Sequence, residues 1–172
     1  MFTAIGELGM IRTTVFAVFL AAALAAPAGA RTVDSWEVAQ NGQVCTMVST
    51  FEDDVSIGLV WSPKTGELGF MATVPHPNEL RGKAAAIELS FDGEGPYTQW
   101  EDERAAVTTG TNGDAVIANW GATYADALAK TVSTSSHVAV RLGGRAIGTY
   151  DLAGSPAAYR ELTHCGSQIA SR

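Results

Sequence analysis

The chain has 172 residues, a net charge of -7 from 11 Lys and Arg against 18 Asp and Glu, and two cysteines. That length suits one ordinary globular domain and argues against two. With 47% apolar and 17% charged residues a wholly disordered chain is a poor fit, and the absence of a Lys/Arg run argues against nucleic acid and anionic membrane surfaces as partners.

The N-terminus reads as an export signal. Val15 to Ala26 is an unbroken apolar run of 12 residues, preceded by Arg12 and followed by Pro27 and the small-x-small pattern Ala28-Gly29-Ala30. Twelve helical residues span about 18 Å against roughly 30 Å of bilayer hydrocarbon, which favours a cleaved signal over a permanent anchor. Met1 to Gly9 carries Glu7 and no basic residue, so Met10 is an alternative start. Cleavage after Ala30 divides the chain into a signal peptide, 1–30, and one exported β-rich domain, 31–172, while Ala26-Pro27-Ala28 offers a second cut. The expected location is periplasmic or secreted, with no stable membrane anchor after cleavage.

Export sets how the cysteines are read. Cys45 and Cys165 are an even count in an oxidising compartment, so one disulfide is expected. A redox pair usually has C-x-x-C spacing and zinc wants four clustered ligands, and neither pattern is present.

Along the mature chain, short β signals alternate with turns. Ser35 to Ala39 and Gln43 to Phe51 flank Asn41-Gly42, a hairpin signal. Val55, Ile57, Leu59 and Trp61 alternate with Ser56, Gly58 and Val60, predicting a half-buried strand. Ser62 to Gly66 turns the chain into a partner strand, Glu67 to Val74, which Pro75-His76-Pro77 stops. Ile87, Leu89 and Phe91 mark another strand, Asp92 to Pro96 a turn, and Tyr97 to Trp100 a short strand; Val107 to Asn112 stays unassigned and Ala115 to Trp120 is strand-like. Thr123 with Asp126 reads as a capping box for a short helix over 124–131. His137 to Leu142 and Arg145 to Leu152 form a hairpin around Gly143-Gly144. In the last element Ser155 caps, Pro156 occupies the first helical position, Ala158, Leu162 and Cys165 share one face, and Gly166 ends the helix. The sum is a mainly β, α+β chain: seven or eight antiparallel strands, sandwich-like, with a short C-terminal helix and one further short helix.

Few residues point to chemistry. Ser155, at a strand-turn-helix junction, has the setting of a nucleophile elbow, but alanines replace both glycines of G-x-S-x-G and Pro156 removes an oxyanion N–H, so an N-cap is the favoured role. His76, His137 and His164 are read as loop or helix-end residues, His164 suiting a helix C-terminus. Glu52-Asp53-Asp54 and Glu101-Asp102-Glu103 lack the register of a calcium loop and are read as solvated turns. Trp36, Trp61, Trp100 and Trp120, with Tyr97 and Tyr124, are candidates for a ligand groove or partner surface; Trp61 reads as core. The binding surface expected is Trp100 and Tyr97 beside Glu101 and Asp102. No catalytic residue, metal or cofactor is assigned.

The tail from His137 to Cys165 is a strand, a Gly-Gly hairpin and a strand, then Leu152-Ala153-Gly154-Ser155 leading into Ala158, Leu162 and Cys165. With the early Trp36 and Cys45-Thr46-Met47, it resembles the small exported bacterial proteins related to invasion-associated locus B. The chain departs from them in having no cysteine between Cys45 and Cys165 and no Phe after Gly154. The resemblance implies a periplasmic or secreted β-sandwich-like domain with no cofactor and an association with the envelope or a host. The functional expectation is a non-enzymatic domain that binds a protein or envelope component. Two alternatives stay open: an inhibitor or immunity-type protein docking a basic hydrolase such as a lysozyme, steered by charge, and a small hydrolase using Ser155.

Overall fold

The computed structural model describes residues 31–74, 85–93, 101–110, 113–119 and 121–171. Among them are β1 Arg31–Val33, β2 Trp36–Asn41, β3 Val44–Thr50, β4 Ser56–Ser62, β5 Glu67–Val74, β6 Ala85–Phe91, β7 Glu101–Gly110 and β8 Gly113–Asn119. Helix α1 Ala122–Thr134, β9 His137–Leu142, β10 Arg145–Asp151 and helix α2 Ser155–Ala170 complete the chain. The expected mainly antiparallel β structure with two helices is what the chain adopts, with ten described strands rather than seven or eight. The export segment 1–30, the Pro75-His76-Pro77 stop, the short strand at 97–100 and Trp120 lie outside the described residues.

The strands are hydrogen-bonded in the order β1-β2-β3-β4-β5-β8-β7-β6-β9-β10, every neighbouring pair antiparallel. Strand β7 belongs to two sheets. Its first half pairs with β6, where Glu101 faces Glu88 and Ala105 faces Ala85, and its second half pairs with β8 from Ala106–Ile117 to Gly110–Gly113. The register sets buried residues side by side across the larger sheet: Val38, Met47, Leu59, Phe70 and Ala118 form one row, and Trp36, Ile57, Ala72 and Val116, with the polar Ser49 between Trp36 and Ile57, the next. In the smaller sheet Ile87, Leu89 and Phe91 meet Leu142, Val140 and Val138. These rows and the inner faces of both helices form one continuous buried cluster. Val60, Met71 and Ile117 form a second, smaller cluster with Val44 and Val48. By strand alternation it lies on the opposite face of the larger sheet.

Local chemistry moves several boundaries. Asn41 pairs with Val44, so the first hairpin turns on Gly42-Gln43, one residue later than Asn41-Gly42; only Gly42 takes a positive φ, 62°, the demand of a turn with glycine at its first central position. Helix α1 begins at Ala122 behind Gly121, with no side-chain cap, so the Thr123/Asp126 capping box does not form. It also runs on to Thr134. The hydroxyls of Thr131, Ser133 and Thr134 donate to the carbonyls of Ala127, Ala129 and Lys130, four residues back, so the segment that reads as a Ser/Thr spacer is the last turn of the helix. Burial of Leu128, Ala129 and Val132 against β5 and α2 holds it there.

Helix α2 packs on β2, β3 and β4 with Ala158 and Leu162 fully buried and Cys165 half-buried, as its periodicity predicts. Gly166 does not end it. The glycine sits inside the helix because the Trp61 ring lies against its Cα, where a Cβ would collide with the indole. Cys165 is bonded to Cys45 of β3, Cα to Cα 6.1 Å, the pairing expected from the cysteine count. No helix among the described residues is long and apolar enough to cross a membrane.

The disulfide closes a loop over a separation of 120 residues. Chain entropy assigns such a loop about 5 kcal/mol, from which native strain is subtracted. Reduction, or the double variant Cys45→Ala/Cys165→Ala, is therefore expected to lower stability by about 3–5 kcal/mol, read from the urea midpoint; an unmoved midpoint would show that α2 is held by packing alone.

Candidate functional site

Glu101 and Asp102 open β7 rather than forming a turn. Their carboxylates suggest a solvated loop, but strand identity is decided by pairing, and β6 supplies it: Glu101 faces Glu88 and Asp102 faces Ile87. Glu88 faces Arg141 on its other side and accepts a hydrogen bond from Arg141 Nη1 at 3.1 Å, while Arg141 Nη2 donates to Gly144 O at 2.9 Å. The register thus puts Glu101 beside an exposed ion pair. Tyr97 and Trp100, the aromatic half of the expected surface, lie outside the described residues.

A second group of acids gathers where β10, the start of β9 and the loop between β3 and β4 meet. Glu52, Asp53 and Asp54 form an exposed turn there, as expected. Asp53 Oδ2 accepts the Tyr150 hydroxyl at 3.1 Å and its Oδ1 accepts Val55 N at 3.3 Å. Asp92 Oδ1 accepts the backbone N–H of Ser136 at 2.8 Å and of His137 at 3.0 Å. The His137 N–H is the main reason that the Asp92 carboxyl is held below the usual carboxylate range, with Ser136 N–H, the Ser135 hydroxyl and the His137 imidazole adding to it against a desolvation penalty. Asp151, paired with His137 across β9 and β10, accepts Ala153 N at 2.7 Å. Asp34 completes the group, lying against Gly154. Asp34, Asp54 and Asp92 have φ of 53°, 60° and 52° and are the only non-glycine residues with positive φ among those described. Aspartate reaches this region more readily than most side chains because its short carboxylate bonds locally. Among the described residues no three His, Cys, Asp or Glu side chains are placed to share a metal ion.

Ser155 serves neither as cap nor as exposed nucleophile. Gly154, at φ 82°, is the residue that precedes the helix, and Ser155 is 0% exposed with its hydroxyl donating to Val132 O of α1 at 2.9 Å. Its surroundings are a knot of backbone bonds. Trp36 Nε1 donates to Ala153 O at 2.9 Å, Ser155 N to Leu152 O at 3.0 Å, and Leu152 N to Ser136 O at 2.8 Å. Trp36 is thereby core rather than surface, and Trp61 is half-buried under α2. Tyr124, 52% exposed, stands on the first turn of α1. His137 is exposed at the start of β9; His164 is exposed well inside α2, 3.0 Å from Gln168 Nε2, so it does not meet the helix end. His76 lies outside the described residues.

Tyr150 is the functional-group environment that the sequence reading missed. It is buried, its ring centroid lies 4.8 Å from that of Phe51, and burial, followed by the charge and hydrogen bond of Asp53, pushes its phenol up to about 12. The available signal was strand parity: Tyr150 faces Val138 and so points with it into the core. Burial, with Asp126 nearby, also raises Tyr159. Comparison with protein families, curated proteins and solved structures finds no match to this chain.

Two substitutions check these assignments. Ser155→Ala leaves the buried Val132 carbonyl without its donor and is expected to cost about 1–3 kcal/mol in urea unfolding; a neutral effect would mean that water replaces the hydroxyl. The folded state holds the Tyr150 proton more tightly than the unfolded chain does. Stability attributable to that phenol is therefore intact below about pH 10 and declines as pH rises toward about 12. Tyr150→Phe should be less stable at neutral pH by about 1–2 kcal/mol and should lack this part of the alkaline decline, measured as urea midpoints across that range.

Proposed function

We propose that the chain is an exported, disulfide-stabilised domain that binds a protein or envelope component and carries no catalysis of its own. The observation that carries the reading is the Cys45–Cys165 bond, which ties the last helix to the sheet. Such bonds persist in oxidising compartments and are rare in reducing ones. The apolar run from Val15 to Ala26, followed by Pro27 and Ala28-Gly29-Ala30, supplies the route. The periplasm or the exterior is the location this supports, in keeping with the resemblance to the invasion-associated locus B proteins. Binding is favoured over catalysis because the best nucleophile candidate, Ser155, is buried and spent on a carbonyl, and Asp53, Asp92 and Asp151 are spent on turn N–H groups or a buried phenol.

A second reading is favoured by the exposed acids Asp34, Glu52, Asp53, Asp54, Asp92 and Asp151. They suit a basic partner, such as a hydrolase of the lysozyme kind, approached by electrostatic steering. Salt separates the two readings, because the screening length falls from about 10 Å at 0.1 M to about 3 Å at 1 M. Capture of an envelope component by the immobilised mature protein that survives the salt increase supports the first. Binding to lysozyme that weakens at least tenfold over the same increase, and again on neutralising Glu52 and Asp54, supports the second. Capture of neither would overturn both.

A further inference from the structure

Strand β10 is the last in the sheet order and pairs with β9 on one flank only. Its other flank is open over a short stretch. Leu152 N donates to Ser136 O, and the His137 carbonyl turns to β6 to accept Asp92 N. Antiparallel pairing alternates, so Gly148 and Tyr150 direct their N–H and C=O groups at β9, while those of Thr149 and Asp151 point away from it. Both residues are exposed, and nothing among the described residues takes up these four groups. The register skips Ile147 between Ala146 and Gly148, so the regular edge stops at Gly148. The bulge guards the first half of β10 against pairing, and the second half carries a carboxylate at its end instead.

That carboxylate decides what the edge accepts. Asp151 is the cross-strand partner of the exposed His137, whose backbone N–H is held by Asp92 Oδ1, so two carboxylates bracket the end of the hairpin. Asp151 Oδ1 accepts Ala153 N, and its Oδ2 has no partner among the described residues. Opposite charges across a ladder attract and like charges oppose pairing, which favours Lys or Arg opposite Asp151 on an added strand. A second copy of β10 does not supply one. In the antiparallel registers that pair the outward groups, the copy sets Ile147, Thr149 or Asp151 opposite Asp151, and its Arg145 arrives there only if the ladder runs through the bulge.

We propose that Thr149 and Asp151 form an addition edge for an extended segment of a partner protein, antiparallel to β10, with Lys or Arg opposite Asp151. The inference deepens the basic-partner reading given above and rests on it. Main-chain bonds hold such a segment, and the charge pair selects it. Because few main-chain groups take part, the charge pair also fixes the register.

The test is a nuclear magnetic resonance titration of the oxidised full chain with the capped peptide Val-Lys-Val-Thr-Val-Lys-Val, and with a counterpart in which both lysines are glutamates. The Lys peptide should shift the Thr149 and Asp151 amide signals and bind at least tenfold tighter than the Glu peptide. Thr149→Pro removes an N–H that points away from β9 and so spares the ladder; it should weaken the Lys peptide at least tenfold. Asp151→Asn keeps an acceptor for Ala153 N and should remove most of the difference between the two peptides. The Lys peptide N-methylated at its lysines and threonine cannot donate to β10 and should not bind, a control that leaves the protein untouched if Thr149→Pro fails to fold. Binding that survives N-methylation, shifts confined to other residues, or no binding by either peptide overturns strand addition and leaves the basic-partner reading standing. Dimerisation of the free protein that Thr149→Pro abolishes gives the edge to a second copy and overturns the inference as well. The reading beneath it fails separately, through lysozyme binding that is absent or unmoved in the salt series.

Discussion

The corner from Asp151 to Ser155 is where the architecture is pinned. A buried backbone group must find a partner or cost the fold its desolvation, and here each partner comes from a different element: the Trp36 indole from β2 for Ala153 O, the Val132 carbonyl from α1 for the Ser155 hydroxyl, and Ser136 O from the α1–β9 link for Leu152 N. Removing one strut leaves another group unpaired, so the corner behaves as a unit rather than as separate bonds. The other anchor of α2 is covalent. Cys165 lies ten residues further on, roughly 15 Å along the helix axis, where the bond to Cys45 and the seat of Trp61 on Gly166 take over. A helix held at two such separated points has little freedom to slide or rotate on the sheet.

What was legible in the sequence was what local periodicity controls. Alternation located β4, β5, β6 and the β9–β10 hairpin, and the spacing of Ala158, Leu162 and Cys165 located the buried face of α2 and its bond to the sheet. The failures share a cause: the deciding partner was distant. Glu101–Glu103 read as a turn because three carboxylates suit solvent, yet β6 claimed them for a strand. Gly166 read as a stop because glycine weakens helices, yet it was the one residue that leaves room for Trp61. Ser155 read as a cap because caps are serines, while the carbonyl that engages its hydroxyl belongs to α1, 23 residues away. Of the site, the acidic turn at Glu52–Asp54 was legible, and its tie to Tyr150 was not, since 97 residues separate Asp53 from that phenol.

The acids at the β3–β4 loop and the β9–β10 ends have a structural task before any binding one. Asp53 anchors the phenol of the smaller sheet to a loop of the larger, and Asp92 holds the start of β9 by two N–H groups. Their charge is consequently fixed in position rather than waving on flexible stems. A partner that recognises this end meets carboxylates whose ordering entropy was lost on folding, which reduces what binding has to supply.

Strand β7 has one further effect. Because its first half is laddered to β6 and its second half to β8, melting either sheet strips hydrogen bonds from the same ten-residue strand and exposes the apolar rows that face the other. The two layers share a strand as well as a core, so the loss of either removes both hydrogen bonds and apolar cover from the other.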